Sequence, residues 1–115
     1  MEKPSIVVDM RKNRIRIHKH TLRMIGDPDF VMLIINPATQ TFGIKCSMLD
    51  DKLALRVRKS TIKNDCELYS KPLMAALHQL CPDWNDTDSF RLEGEVITDE
   101  NMAVFSMRDY IVLER

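Results

Sequence analysis

Six consecutive apolar residues, Phe30-Val31-Met32-Leu33-Ile34-Ile35, stand between two proline turns, Asp27-Pro28-Asp29 and Asn36-Pro37-Ala38-Thr39-Gln40. A run this short, bounded this tightly, has room for a strand and little for a helix. Because every position is apolar, the expectation is a central strand, or one covered on both faces. Thr41-Phe42-Gly43-Ile44-Lys45-Cys46 follows as its hairpin partner. The run is also the longest apolar stretch in the chain. It falls far short of the roughly 20 residues that a membrane-spanning helix needs.

The flanking segments extend the same pattern. Ser5 to Met10 reads as a first strand and Arg11-Lys12-Asn13 as a turn, with Asn13 able to take a left-handed backbone. Arg14-Ile15-Arg16-Ile17 alternates with period two, which puts the isoleucines inward and the arginines outward. Lys19 to Ile25 reads as a short helix stopped by Gly26. Leu53 to Lys59 alternates again, with Leu55 and Val57 inward and Arg56 and Arg58 outward. After a short strand at Glu67-Leu68-Tyr69, Ser70 is a good N-cap and Pro72 fits the first turn of a second helix. Leu73, Leu77 and Leu80 form that helix's apolar face, and Pro82 lies beyond its end. Ser89 to Ile97 and Met102 to Met107 read as a hairpin, and Tyr110 to Leu113 as a last short strand. The fold class expected is α+β: an antiparallel, hairpin-rich sheet or barrel with two short helices.

At 115 residues the chain is expected to be a single domain. Its N-terminus leads into no signal-peptide core, and three widely spaced cysteines, Cys46, Cys66 and Cys81, suit reduced thiols better than a disulfide framework. The expected setting is cytoplasmic, with no membrane association. The order strand, helix, strand, turn, strand occurs twice. Residues 16–25 align with 68–77 without a gap, Phe30 with Phe90, and Phe42 with Phe105. Two β-α-β-β units, in pseudo-repeat halves 5–63 and 64–115, would account for this, although such units also arise without duplication.

Charge divides at the same place. Residues 1–63 hold 13 Lys/Arg against 6 Asp/Glu, a net of +7, and residues 64–115 hold 4 against 11, a net of −7. Either the basic half meets a polyanion, or the two halves neutralise each other within the chain or between subunits.

Asn13-Arg14-Ile15-Arg16-Ile17-His18-Lys19-His20-Thr21-Leu22-Arg23-Met24-Ile25-Gly26 resembles the N-terminal segment of AbrB/MraZ-like swapped-hairpin transcription factors, with the likeness covering residues 5–47. The shared pattern is a turn, an alternating basic strand, a short helix ending at Gly, and two hairpin strands. This chain has Asn13 where that family usually has Gly, and His18-Lys19 where it usually has Pro. The MraZ-like branch carries two such units in one chain. The resemblance implies DNA binding through basic residues of the turn, strand and helix, which here are Arg11, Lys12, Arg14, Arg16 and Arg23.

The residues themselves allow the same reading. Arg11, Lys12, Arg14, Arg16, Lys19 and Arg23, joined by Arg56 and Arg58, could line one face and hold nucleic-acid phosphates. The competing account pairs these arginines with carboxylates. Few aromatic residues argue against single-strand binding by base stacking. His18 and His20, or His78 and Cys81, lack further ligands for a metal site. Asp83, Asp86 and Asp88 lack the glycine and closing glutamate of a calcium loop. Glu93 and Glu95 flank Gly94 and suit a charged strand face. No cofactor motif and no catalytic constellation is present. The expectation is a small non-enzymatic DNA-binding or regulatory protein acting on double-stranded DNA, as a homo-oligomer. The alternative is an assembly module in which basic and acidic faces join between subunits.

Overall fold

The computed structural model describes residues 3–59 and 64–113. Its strands are β1 (Ser5–Asp9), β2 (Arg14–His18), β3 (Phe30–Asn36), β4 (Thr41–Ser47), β5 (Leu55–Arg56), β6 (Asp65–Tyr69), β7 (Ser89–Ile97) and β8 (Met102–Leu113), and its helices are α1 (Lys19–Met24) and α2 (Lys71–Leu80). All strands join one antiparallel sheet in the order β5-β3-β4-β8-β7-β1-β2-β6. The sheet curls towards closure just beyond β5. There the Arg58 N–H donates to the Glu67 carbonyl at 2.8 Å and the Glu67 N–H to the Arg58 carbonyl at 2.9 Å. The result is a near-barrel in which strands dominate and the helices are minor.

The strand order has a two-fold character. β4 lies beside β8; stepping outward from that pair, β3 answers to β7, β5 to β1 and β6 to β2. Phe42 and Phe105 stand directly opposite each other across β4 and β8, with ring centroids 5.6 Å apart. In this arrangement the equivalent units are β1-β2-α1-β3-β4 and β5-β6-α2-β7-β8. They are interleaved: the β1–β2 hairpin is inserted between β7 and β6.

Alternation produces the core. Ile6 and Val8 of β1, Ile15 and Ile17 of β2, Cys66 and Leu68 of β6, and Phe90 and Leu92 of β7 all point inward and are buried. The helices leave the β2–β6 pair at opposite ends, because His18 pairs with Asp65 and Arg14 with Tyr69. Helix α1 is capped by its own entry residue: the His20 N–H donates to His18 Nδ1 at 3.0 Å. Thr21 pins it to β1, accepting from the Ser5 N–H and donating to the Ser5 carbonyl. Gly26 follows at φ +96, a left-handed stop that suits glycine. Helix α2 starts as expected, with Ser70 Oγ accepting from the Leu73 N–H at 3.2 Å. Its Leu73, Met74 and Leu77 are buried, as is Trp84, which stacks on Phe90 at 4.3 Å.

Three expectations change. β3 is central but is not covered on both faces: Val31 is buried while Ile34 is 42% exposed, because its alternate side chains point to the outside of the barrel. The strand expected at 53–59 is only Leu55–Arg56, plus the Arg58 bridge, because Leu53 and Ala54 belong to a turn held by Asp51. The two strands expected at 102–107 and 110–113 are one, β8. The Arg108-Asp109 pair breaks the apolar pattern, yet pairing with β7 resumes at Leu92↔Tyr110 after a bulge near Gly94.

Candidate nucleic-acid interface

β2 is the centre of the basic strand pattern, and its outward residues meet neighbours from the acidic half. Cross-strand partners form a continuous outer row, Arg58–Glu67–Arg16–Val7–Arg91–Ile111. The next row runs Tyr69–Arg14–Asp9–Ser89–Leu113. Acidic β6 is therefore set between basic β2 and Arg58. Part of the charge split is absorbed here, inside one chain.

Arg14 shows this most directly. Its Nε lies 3.3 Å from Asp9 Oδ2, and its Nη1 makes a short ion pair with Glu67 Oε2. The Tyr69 hydroxyl donates to the same Glu67 oxygen at 3.1 Å. Burial works against the Arg14 charge, but hydrogen bonds to Tyr69 and Glu67 and the charges of Glu67 and Asp9 outweigh it and hold its pKa above the ordinary value. Arg14 is thus a sheet fastener that joins β1, β2 and β6.

Arg56 and Arg58 are arranged differently. Both are exposed. The Arg56 guanidinium carbon sits 4.9 Å from the centroid of Phe30, and that of Arg58 sits 4.5 Å from the centroid of Tyr69. Stacking on a ring face holds a guanidinium while leaving its N–H edge open to solvent. Neither forms a carboxylate ion pair among the described residues. Arg16 is partly buried, and its Nε has no hydrogen-bond partner among the described residues. It lines a cavity of 320 Å³ together with His18, Arg91, Asp65 and Glu93.

The remaining basic candidates separate. Arg11 and Lys12 are exposed in the β1–β2 turn, where Asn13 takes φ +54 and the Lys12 N–H donates to Asp9. Lys19 and exposed Arg23 lie on α1, at the other end of β2. Arg14, Arg16, Arg56 and Arg58 share the barrel's outer surface; Arg11 and Lys12 adjoin one end of it, and Lys19 and Arg23 the other.

No group of three or more His, Cys, Asp or Glu is placed to hold a metal ion among the described residues. His78 instead lies 3.2 Å from Asp86. The Cys81 thiol is buried, and burial together with Asp83 pushes its pKa up to about 11, the reverse of an activated nucleophile. Sequence reasoning missed Tyr69, Phe30 and Arg91. Tyr69 and Phe30 were visible as aromatic residues in strand segments, but their places beside arginines depend on strand pairing. The same holds for Arg91, whose place opposite Val7 depends on a pairing over a long sequence separation. No helix among the described residues is long and apolar enough to cross a membrane. Comparison of the chain with protein-family models, curated proteins and solved structures finds no match.

Proposed function

We propose that this protein is a non-enzymatic binding module of regulatory type whose outer β2–β6–β5 face holds nucleic-acid phosphates. The observation that carries the reading is the pair Arg56 and Arg58. Two guanidiniums of exposed residues lie over aromatic rings, and they share an outer surface with Arg16. Pre-set cations of this kind suit phosphate oxygens, which accept hydrogen bonds from a planar donor fork. Arg11, Lys12, Lys19 and Arg23 supply further cations at the two ends of the face. The interleaved strand order also suits a swapped-hairpin arrangement, in which the strands of one unit complete the sheet of the other.

Titration of a fluorescent random duplex at low and moderate salt tests this. Binding should weaken steeply with salt. Arg56→Gln with Arg58→Gln should lower the slope of log affinity against log salt by about 1.8, at ~0.9 per phosphate contact. No binding at low salt, or an unchanged slope in the double variant, rejects it.

A second reading, assembly between copies, has its own observation. Residues 108–113 of β8 extend past the end of its pairing with β4, and Ile111 and Val112 there are 57% and 52% exposed. A monomer mass in the same buffers excludes it.

A further inference from the structure

The cavity between β3, the β4–β5 turn and the start of α2 differs from the other three described cavities. Those each have carboxylates in their walls: Asp65 and Glu93, Asp83, or Glu93, Glu95 and Asp109. The α2 groove has none. Leu33, Ile35, Leu55 and Leu73 give it an apolar floor, and its charged lining residues are Lys52 and Lys71. Its volume is 530 Å³, within the range of small-molecule sites.

The charge at this rim belongs to the two ammonium groups. The helix end has little to add, since Ser70 Oγ already accepts from the Leu73 N–H and Pro72 has no N–H to offer. Both lysines are exposed, and neither forms an ion pair among the described residues. The nearby Asp51 carboxylate is not among the lining residues: it is turned into the β4–β5 connection, where it accepts from Ser47 Oγ and from the Leu53 N–H, each at 3.0 Å, and keeps its charge there. Leu53, held over the groove by that turn, is 73% exposed. An apolar side chain in such a position gains if something apolar fills the space beneath it.

We infer that this groove is a binding site for a small amphiphile, an apolar chain or ring carrying one anionic head such as a carboxylate. The apolar part lies on Leu33, Ile35, Leu55 and Leu73. The head sits between Lys52 and Lys71. Charge complementarity selects this occupant: a neutral ligand leaves the lysines unused, and a cationic one is repelled.

The test is an amide-resolved NMR titration with decanoate below its micellar concentration, alongside decanol. Decanoate should produce saturable shifts centred on residues 52–55 and 69–73. Lys52→Gln with Lys71→Gln, both solvent-facing changes, should keep the native spectrum and weaken decanoate about tenfold, with little effect on decanol. The proposal is overturned if no saturable shifts occur, if they centre elsewhere, if decanol binds as tightly as decanoate, or if the double variant binds decanoate unchanged.

Discussion

Replacing Arg14 should cost more stability than replacing Arg58. Arg14 makes two charge-assisted contacts, with Asp9 and Glu67. Hydrogen bonds to charged groups contribute roughly 1.5–3 kcal/mol each when well shielded. Shielding is uneven: the side chains of Arg14 and Asp9 are 19% and 10% exposed, but that of Glu67 is 34% exposed. The Glu67 contact is therefore discounted towards the ~1 kcal/mol of a surface pair. Removing Arg14 also leaves Asp9, a buried carboxylate, without its cation. Together these give a loss of about 2–3 kcal/mol for Arg14→Gln. Arg58→Gln removes one exposed cation–π contact, worth about 0.5–1 kcal/mol. Urea unfolding followed by fluorescence of the single, buried Trp84 reads both. With a slope of about 1–3 kcal/mol per molar urea, the Arg14→Gln midpoint should fall by roughly 0.7–3 M. Equal midpoints for the two variants would refute the division into a fastening arginine and a ligand-facing one. The control also matters for duplex binding, since a loss on Arg14 replacement would report an altered sheet as much as a missing phosphate contact.

Two further outcomes follow from local packing. Gly94→Ala should destabilise by about 2 kcal/mol or more, because an added Cβ meets the Val104 carbonyl of β8 and comes within 2.8 Å of Phe105 Cδ1. Gly43→Ala should change stability by no more than about 1 kcal/mol, because its Cβ is crowded only by the flexible Met102 side chain, 2.8 Å from Sδ and 3.3 Å from Cγ, and stands at an ordinary 3.7 Å from the Ala103 carbonyl; the same urea experiment checks both. In thiol labelling at pH 8, Cys81 should be among the slowest to react in the native protein. A pKa raised to about 11 leaves roughly a thousandth of it as thiolate. Its rate should rise as pH approaches that value, and rapid labelling at pH 8 would show the thiol to be accessible and ionised.

Much of the local pattern was readable, although the turn that Asp51 makes with Leu53 and Ala54 was not. The alternation at 14–17, the Asn13 turn, the Ser70 cap and the Gly26 stop each depend on residues within a few positions, and each is present. β8 was misread because its continuity past Arg108-Asp109 depends on β7. The outward direction of Arg14 and Arg16 was legible, but their neighbours were not. Glu67 reaches Arg14 only because β6 pairs with β2, a register set by the barrel as a whole. The charge totals of the two halves were visible in the sequence; the interleaving that mixes them on one surface was not. The α2 groove had no sequence signature, since Lys52 comes from the β4–β5 turn and Lys71 from the start of α2.

Interleaving also governs the order in which the molecule can assemble. The β3–β4 hairpin closes over a few residues and can form early, but Ile6 finds its β7 partner only at Leu92, and Phe42 finds its β8 partner only at Phe105. A growing chain therefore carries β1 and β4 with open edges until β7 and β8 have been made. Contacts so distant in sequence slow the search for the native state and leave strand edges free to meet other chains. Completion of the barrel is thus expected to be a late, all-at-once event, and the period before it is when this protein is most exposed to aggregation.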